Sequence, residues 1–165
     1  MNGLPFLGQH AVRLDHVAIA VKDIDQAIGF YRDVLGMDLV DRKRIAGKKT
    51  GMVSAEFSAG QFSIVLVQGT EAESQVSRFI DEYGPGVQHV AIEVDSVVAV
   101  ADKLRERGMT FETNVIQGPG LTQIFARRDG TSGVMFEFIE RTANDGFNEE
   151  SVRSLFEQLE QSEAC

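Results

Sequence analysis

Residues 16–21, HVAIAV, alternate large and small side chains. Val17, Ile19 and Val21 fall on one side, and His16, Ala18 and Ala20 on the other, which is the period of a β-strand. The period then lengthens. In KDIDQAIGFYRDVLG, Ile24, Ala27, Ile28, Tyr31 and Val34 mark one face of a helix, and Gly36 stands where a C-cap belongs. Strand-like stretches follow at 39–45, 52–58 and 62–68, punctuated by Gly47, Gly51 and Gly60. This segment reads β-α-β-β-β.

The same order returns. GPGVQHVAIEV repeats the core of RLDHVAIAV, with Val90, Ile92 and Val94 alternating against His89, Ala91 and Glu93. Val97, Val100, Ala101 and Leu104 mark a helix that Gly108 stops, and strands are predicted near 110–115, 122–127 and 134–139. Between the copies, ESQVSRFIDEY places Val76, Phe79, Ile80 and Tyr83 at helical spacing before Gly84-Pro85-Gly86. A last helix begins near Asn148, a good N-cap, with Val152, Leu155, Phe156 and Leu159 on one face. The pattern divides the chain into a first module at 13–70, a connecting helix and turn at 71–86, a second module at 87–141 and a C-terminal helix at 142–165.

Neither copy holds enough core alone. The predicted fold is α+β, with two βαβββ modules merging into one curved, partly closed sheet. Each repeat histidine shares its face with alanines, while the Val/Ile face has to lie under the helix. Both histidines therefore face a common interior. The chain has three histidines in all, so placing two of them at equivalent points of a repeat calls for an explanation. In GVMFEFIER, Glu137 is an anion between Phe136 and Phe138, costly to bury unpaired. Two histidines and one carboxylate make the facial set of non-haem Fe(II) oxygenases. On spacing alone two plainer readings stay open: histidines satisfied within the core, and an edge-strand glutamate paired at the surface.

Composition narrows the partners. The net charge of −9 over 165 residues disfavours nucleic acid. The basic cluster DRKRIAGKK, 41–49, reads either as a solvated hairpin or as a grip for an anionic tail such as a phosphate of coenzyme A. No apolar run is long enough to cross a membrane. MNGLPFLGQH lacks the features of a secretory signal, and a single cysteine, Cys165, rules out an internal disulfide. The expected location is the cytoplasm.

LDHVAIAVKDIDQAIGFYRDVLGM resembles the opening of a vicinal oxygen chelate module, the superfamily of glyoxalase I, methylmalonyl-CoA epimerase and the extradiol and 4-hydroxyphenylpyruvate dioxygenases. The resemblance runs from about Arg13 to the C-terminus and puts His16, His89 and Glu137 on the superfamily's metal positions. Epimerases and glyoxalases usually carry a fourth ligand on the last strand of the first module. Here that strand is QFSIVLVQ, and the matching position is Val65, or Ile64 with a register slip of one. Three ligands leave about three of six octahedral positions open. That suits a chelating substrate and O2.

SQVSRFIDEYGPGVQHVAIEV, LTQIFARRDG, MFEFIER and GFNEESVRSLFEQLEQ together resemble the catalytic half of 4-hydroxyphenylpyruvate dioxygenase, including its C-terminal lid helix. Ser54, Gln75, Gln88 and Gln123 match that family's pocket serine and glutamines, and Gln68 falls near its asparagine. The family's two ring-clamping phenylalanines fall on Met135 and Val152, although Phe125, Phe147 and Phe156 remain. Losing two aromatic faces removes on the order of 1–3 kcal/mol of ring contact.

The resemblance implies an Fe(II)-dependent dioxygenase that oxidatively decarboxylates and hydroxylates a 2-oxo acid whose side chain is not necessarily 4-hydroxyphenyl. His16, His89 and Glu137 would hold the metal. Gln88 and Gln123 would orient the substrate, and Ser54, Gln68, Gln75, Phe125, Met135, Val152 and Phe156 would shape its pocket. The expected partners are a small-molecule 2-oxo acid, O2 and a second copy in a homodimer. Two other classes remain open. One is a Co-, Mn- or Zn-dependent epimerase or isomerase with Glu93 as base. The other is a module that only sequesters a ligand.

Overall fold

The computed structural model describes residues 3–142 and 149–162. Its strands form a single mixed sheet in the order β2-β3-β4-β1-β5-β8-β7-β6, curled into an open half-barrel. β1 (Ala11–Ala20) and β5 (Gly86–Val94) run antiparallel down the middle. Each pairs in parallel with the last strand of its own repeat, β4 (Ser63–Gly69) and β8 (Met135–Arg141). β2 (Asp38–Ala46) and β3 (Gly51–Ser58) complete the first half, and β7 (Leu121–Phe125) and β6 (Ile116–Gly118) the second.

The alternation decides which face is which. Ile19 and Val21 pack beneath Ile24 and Ile28 of α2 (Ile24–Gly29), together with Ala55, Phe57 and Leu66. Ile92 and Val94 pack beneath Val97, Val100 and Ala101 of α4 (Val97–Glu106). Burying these aliphatic faces under the helices turns His16, Ala18, His89 and Ala91 toward the concave side. The helix ends follow their signals. Asp23 caps α2, Ser96 caps α4 and Ser74 caps α3 (Gln75–Tyr83). Gly36, Gly84 and Gly108 take positive φ of 70°, 85° and 97° just past helix ends.

Two local expectations are corrected, and one element is added. The first helix does not stay α throughout, because a π-helical turn, Phe30–Val34, follows α2 and is closed by the amide of Leu35 on the carbonyl of Phe30 at 3.0 Å. A short α1 (Phe6–His10) precedes β1 and packs against the second module, with His10 Nδ1 2.9 Å from Asp95. Residues 110–115 are not a continuous strand. Phe111 bridges Ala126, and the hydroxyl of Thr113 accepts the amide of Phe125 at 3.0 Å. A side chain there replaces a backbone ladder partner, so the regular strand begins only at Ile116.

α5 (Glu149–Gln161) lies across the mouth of the half-barrel, packed against the edge strands β2 and β6. Phe156 and Leu159 are buried beneath it. One end is tied to the first module: the Glu160 carboxylate accepts the amide and hydroxyl of Thr50 at 3.2 and 2.9 Å and the amide of Lys49 at 3.3 Å. Gln158 accepts the amide of Asn114 in the second module at 3.0 Å. Phe147, Asn148 and Cys165 lie outside the described residues. No helix among those described is long and apolar enough to cross a membrane.

Candidate metal centre

Pairing of β1 with β5 sets Ala18 opposite His89 and His16 opposite Ala91, while β5–β8 pairing sets Ala91 beside Glu137. The two histidines and the glutamate thereby converge from three neighbouring strands. His16 Nε2 lies 3.2 Å from His89 Nε2 and 3.1 Å from Glu137 Oε2. His89 Nε2 lies 3.8 Å from the same oxygen.

The groups around the centre orient its donors. Asp15 Oδ2 is 2.7 Å from His16 Nδ1, and Gln88 Oε1 is 3.1 Å from His89 Nδ1. With each Nδ1–H donating outward, both Nε2 lone pairs point at one spot. Glu137 Oε2 faces the same spot, buried and without a hydrogen bond. Three converging acceptors need a cation between them. Donors at right angles about an ion, each at ordinary metal–ligand length, stand about 3 Å apart. Two of the three separations match that figure and the third is longer.

The electrostatics of the metal-free centre report the same demand. Burial disfavours charge on His16, but the negative charge of Glu137 and the hydrogen bond to Asp15 outweigh it and raise its pKa to about 9. His89 moves the other way, held neutral by burial and by the positive charges of His16 and Arg128. Burial opposes charge on Asp15 as well, yet hydrogen bonds from His16 and Arg141 hold its pKa far below the usual carboxylate range. Arg141 reaches Asp15 through Nε at 2.6 Å and Nη2 at 3.1 Å.

A cavity of about 70 Å³ adjoins the centre. Small-molecule pockets usually offer some 300–1,000 Å³, so with α5 in place the space is too small for a substrate. His89, Glu137, Gln123 and Ser54 line it together with Met52, Val65 and Val67. α5 closes it with Val152 and Leu155. Gln123 is 1 % exposed, and neither of its amide atoms has a partner. Phe125 stands edge-on to the His89 ring at 4.8 Å between centroids.

Other expected pocket residues sit elsewhere. Gln68 caps α2, accepting the amide of Ile24 at 2.8 Å. Gln75 is buried in the first turn of α3. Gln88 supports His89 and does not line the cavity. Met135 packs with Phe125, Leu155 and Leu159. Phe156 is fully buried against the β2–β3 turn, where a Cβ on Gly47 would run into its ring. Glu93 is paired with Arg13 at 3.0 Å. It lines a second, open cavity of about 600 Å³ that also takes in Asp15, Arg141 and Glu56. In the basic 41–49 segment, Arg42 pairs with Asp25 at 2.7 Å and Lys43 with Asp41 at 3.0 Å.

Sequence patterning missed Asp15, Arg141 and Glu160. Asp15 had a signal, an acid directly preceding the histidine. Arg141 and Glu160 had none, since each meets its partner only through the assembled sheet or the docked helix.

A model of the Glyoxalase/Bleomycin resistance protein/Dioxygenase superfamily matches residues 13–138. A 4-hydroxyphenylpyruvate dioxygenase of Pseudomonas aeruginosa is 30 % identical over an alignment covering 91 % of this chain and 52 % of that protein. The chain thus spans about half the length of that relative. A mutant 4-hydroxymandelate synthase from Streptomyces coelicolor superimposes with a TM-score of 0.82 at 22 % identity, covering 93 % of this chain and 55 % of the other. A methylmalonyl-CoA epimerase from Mycobacterium tuberculosis superimposes at 0.68 with 30 % identity, covering 81 % and 90 %.

Proposed function

Because the chain belongs to the Glyoxalase/Bleomycin resistance protein/Dioxygenase superfamily, we propose that it is an Fe(II)-dependent dioxygenase. Its reaction would be the oxidative decarboxylation and hydroxylation of a small 2-oxo acid. The observation that carries this reading is the identity of Val65. Val65 pairs with Ala18 as Glu137 pairs with Ala91, so it occupies the pseudo-equivalent of Glu137 in the first module. An apolar side chain there leaves three donors, His16, His89 and Glu137, as the group among the described residues able to hold an ion. Three donors keep about half of an octahedral shell free for a bidentate substrate and O2.

Iron bound there would supply a Lewis acid for the 2-oxo carboxylate and a redox centre for O2. The chain's own residues supply the rest. Asp15 holds the proton on His16 Nδ1, which keeps Nε2 a donor, and Arg141 keeps Asp15 ionised. Gln88 does the same for His89. Gln123 presents unpaired amide groups to the cavity, where a substrate carboxylate or oxo group can take them up. α5 moves aside for entry and then excludes water. Val152 meets the substrate's side chain, and among the described residues no aromatic side chain lines the cavity to clamp a phenol.

Glu93 bears on the epimerase reading. A general base must reach the proton it removes, and this carboxylate is bound to Arg13 in another cavity. The test is anaerobic loading with Fe(II), then O2 uptake and CO2 release with a panel of 2-oxo acids. Uptake coupled to CO2 is expected with at least one of them. Absence of both with every acid, together with deuterium exchange into an acyl-CoA by the Co(II) protein, would overturn the proposal in favour of an epimerase.

A further inference from the structure

We propose that Glu56 selects a substrate whose side chain ends in a cation, a guanidinium or ammonium group; this rests on the 2-oxo acid reading above. Glu56 lies on β3, opposite Val65 of β4, between two cavities: it lines the one that holds His89, Glu137 and Gln123, and it also borders the open cavity of Arg13, Ser63 and Arg141. It is not a fourth metal ligand, since the group of donors within 4.8 Å of one another is His16, His89 and Glu137. Along the sheet, Glu56, Val65, Ala18 and His89 are successive cross-strand partners. Three such steps cover about 14 Å, shortened across the concave interior. An oxo acid chelated at the centre would lay its carbon chain over Val65 and Ala18 and bring its far end to Glu56.

The charges of the cavity decide what that end carries. Asp41 and Lys43, which also line it, neutralise one another at 3.0 Å. Glu137 belongs to the metal. Glu56 has one hydrogen-bond partner among the described residues, the hydroxyl of Ser63 at 3.3 Å, and it makes no ion pair with them. Arg141 feels its charge but is bound to Asp15. The two arginines of the adjoining open cavity are taken by other acids, Arg13 by Asp15 and Glu93 and Arg141 by Asp15, so among the described residues Glu56 is the carboxylate on the metal-side lining that no ion pair neutralises. It stands beside Met52, Val65, Val67, Val152 and Leu155. A half-buried carboxylate with apolar neighbours favours a cation and opposes a second anion. The apolar side chains suit a methylene stem beneath that cation.

Two measurements test this and separate it from the parent reading. On the metal-free full chain, calorimetry compares butylguanidinium with butylurea. The cation is expected to bind about tenfold tighter, a preference lost in Glu56→Gln and turned against the cation in Glu56→Lys. On the anaerobic Fe(II) protein, the visible charge-transfer band reports chelation of a guanidino-terminated 2-oxo acid, its neutral ureido isostere and a carboxylate-terminated acid of equal length. The expected order is guanidino, ureido, carboxylate, with the first two equal in Glu56→Gln. Chelation of all three without preference overturns the role of Glu56 and leaves the dioxygenase reading standing. A cation preference at Glu56 with no chelation by any oxo acid supports the subsite and overturns the dioxygenase reading. Neither effect overturns both.

Discussion

Glu137 Oε2 stands 3.1 Å from His16 Nε2 in the buried centre of the half-barrel, with no hydrogen-bond partner among the described residues beyond this contact. Acceptors this close hold either a proton or a metal ion. In the metal-free protein the proton sits on His16, whose pKa of about 9 exceeds its ordinary 6.5. A folded-state pKa raised in this way stabilises the metal-free fold below pH 6.5, and the contribution is lost as the pH rises through 9. For metal binding the sign reverses, because the ion displaces that proton. Apparent affinity for Fe(II) or Co(II) is therefore expected to rise about tenfold per pH unit across this window and to level off above it. Calorimetry in buffers of different ionisation enthalpy should find about one proton released per ion bound at neutral pH. Glu137→Gln should bind the metal at least about 100-fold more weakly.

Asp15 and Arg141 form a buried pair whose partner is the ligand His16. Removing one member strands the other charge, so Asp15→Asn is expected to cost about 3–5 kcal/mol in urea unfolding, and Asp15→Asn with Arg141→Met less than the single change. Metal affinity should fall about 10–100-fold in both variants, because a neutral amide oxygen replaces the ionised acceptor that holds and polarises His16 Nδ1–H. Equal stability of the single and double variants would show that the pair is not coupled.

Gln123 has two buried amide atoms without partners. Replacing it with Leu removes that unmet demand, so Gln123→Leu is expected to be neutral or more stable, by about 1 kcal/mol. Substrate binding should weaken by at least about tenfold, and KM measured beside thermal unfolding checks both signs. A large loss of stability would mark Gln123 as structural.

α5 is held to the first module by the Glu160 carboxylate over the 49–50 turn. A methyl group on Gly47 would collide with that carboxylate and with Phe156. Gly47→Ala should loosen α5, giving faster amide exchange in 150–161 and quicker substrate entry, with a cost of about 1–3 kcal/mol. Glu160→Gln should loosen it less, as the amide oxygen still accepts one bond.

Much of this molecule was legible in one dimension. Alternation around His16 and His89, aliphatics on one side and alanines on the other, assigned both strands a helix-covered face and an open face. Those faces follow from a side-chain period of two, which needs no tertiary information. Glu137 stood out because an acid between two phenylalanines is costly without a cation. Gly36, Gly84 and Gly108 end their helices where local backbone sterics said they would.

What only the fold decided depends on distance in space between residues remote in the chain. Pairing of β1 with β5 brings His16 and His89 within 3.2 Å across 73 positions. Pairing of β3 with β4 places Glu56 opposite Val65 and facing the same cavity. The residues matched by resemblance parted company for the same reason. Gln123 points inward with its amide unmet, whereas the Gln68 carbonyl is consumed by the end of α2. Local periodicity determines which side of a strand a side chain leaves from. Which partner it then meets is decided by register, sheet curvature and the docking of α5, all of them sums over contacts that no single segment contains.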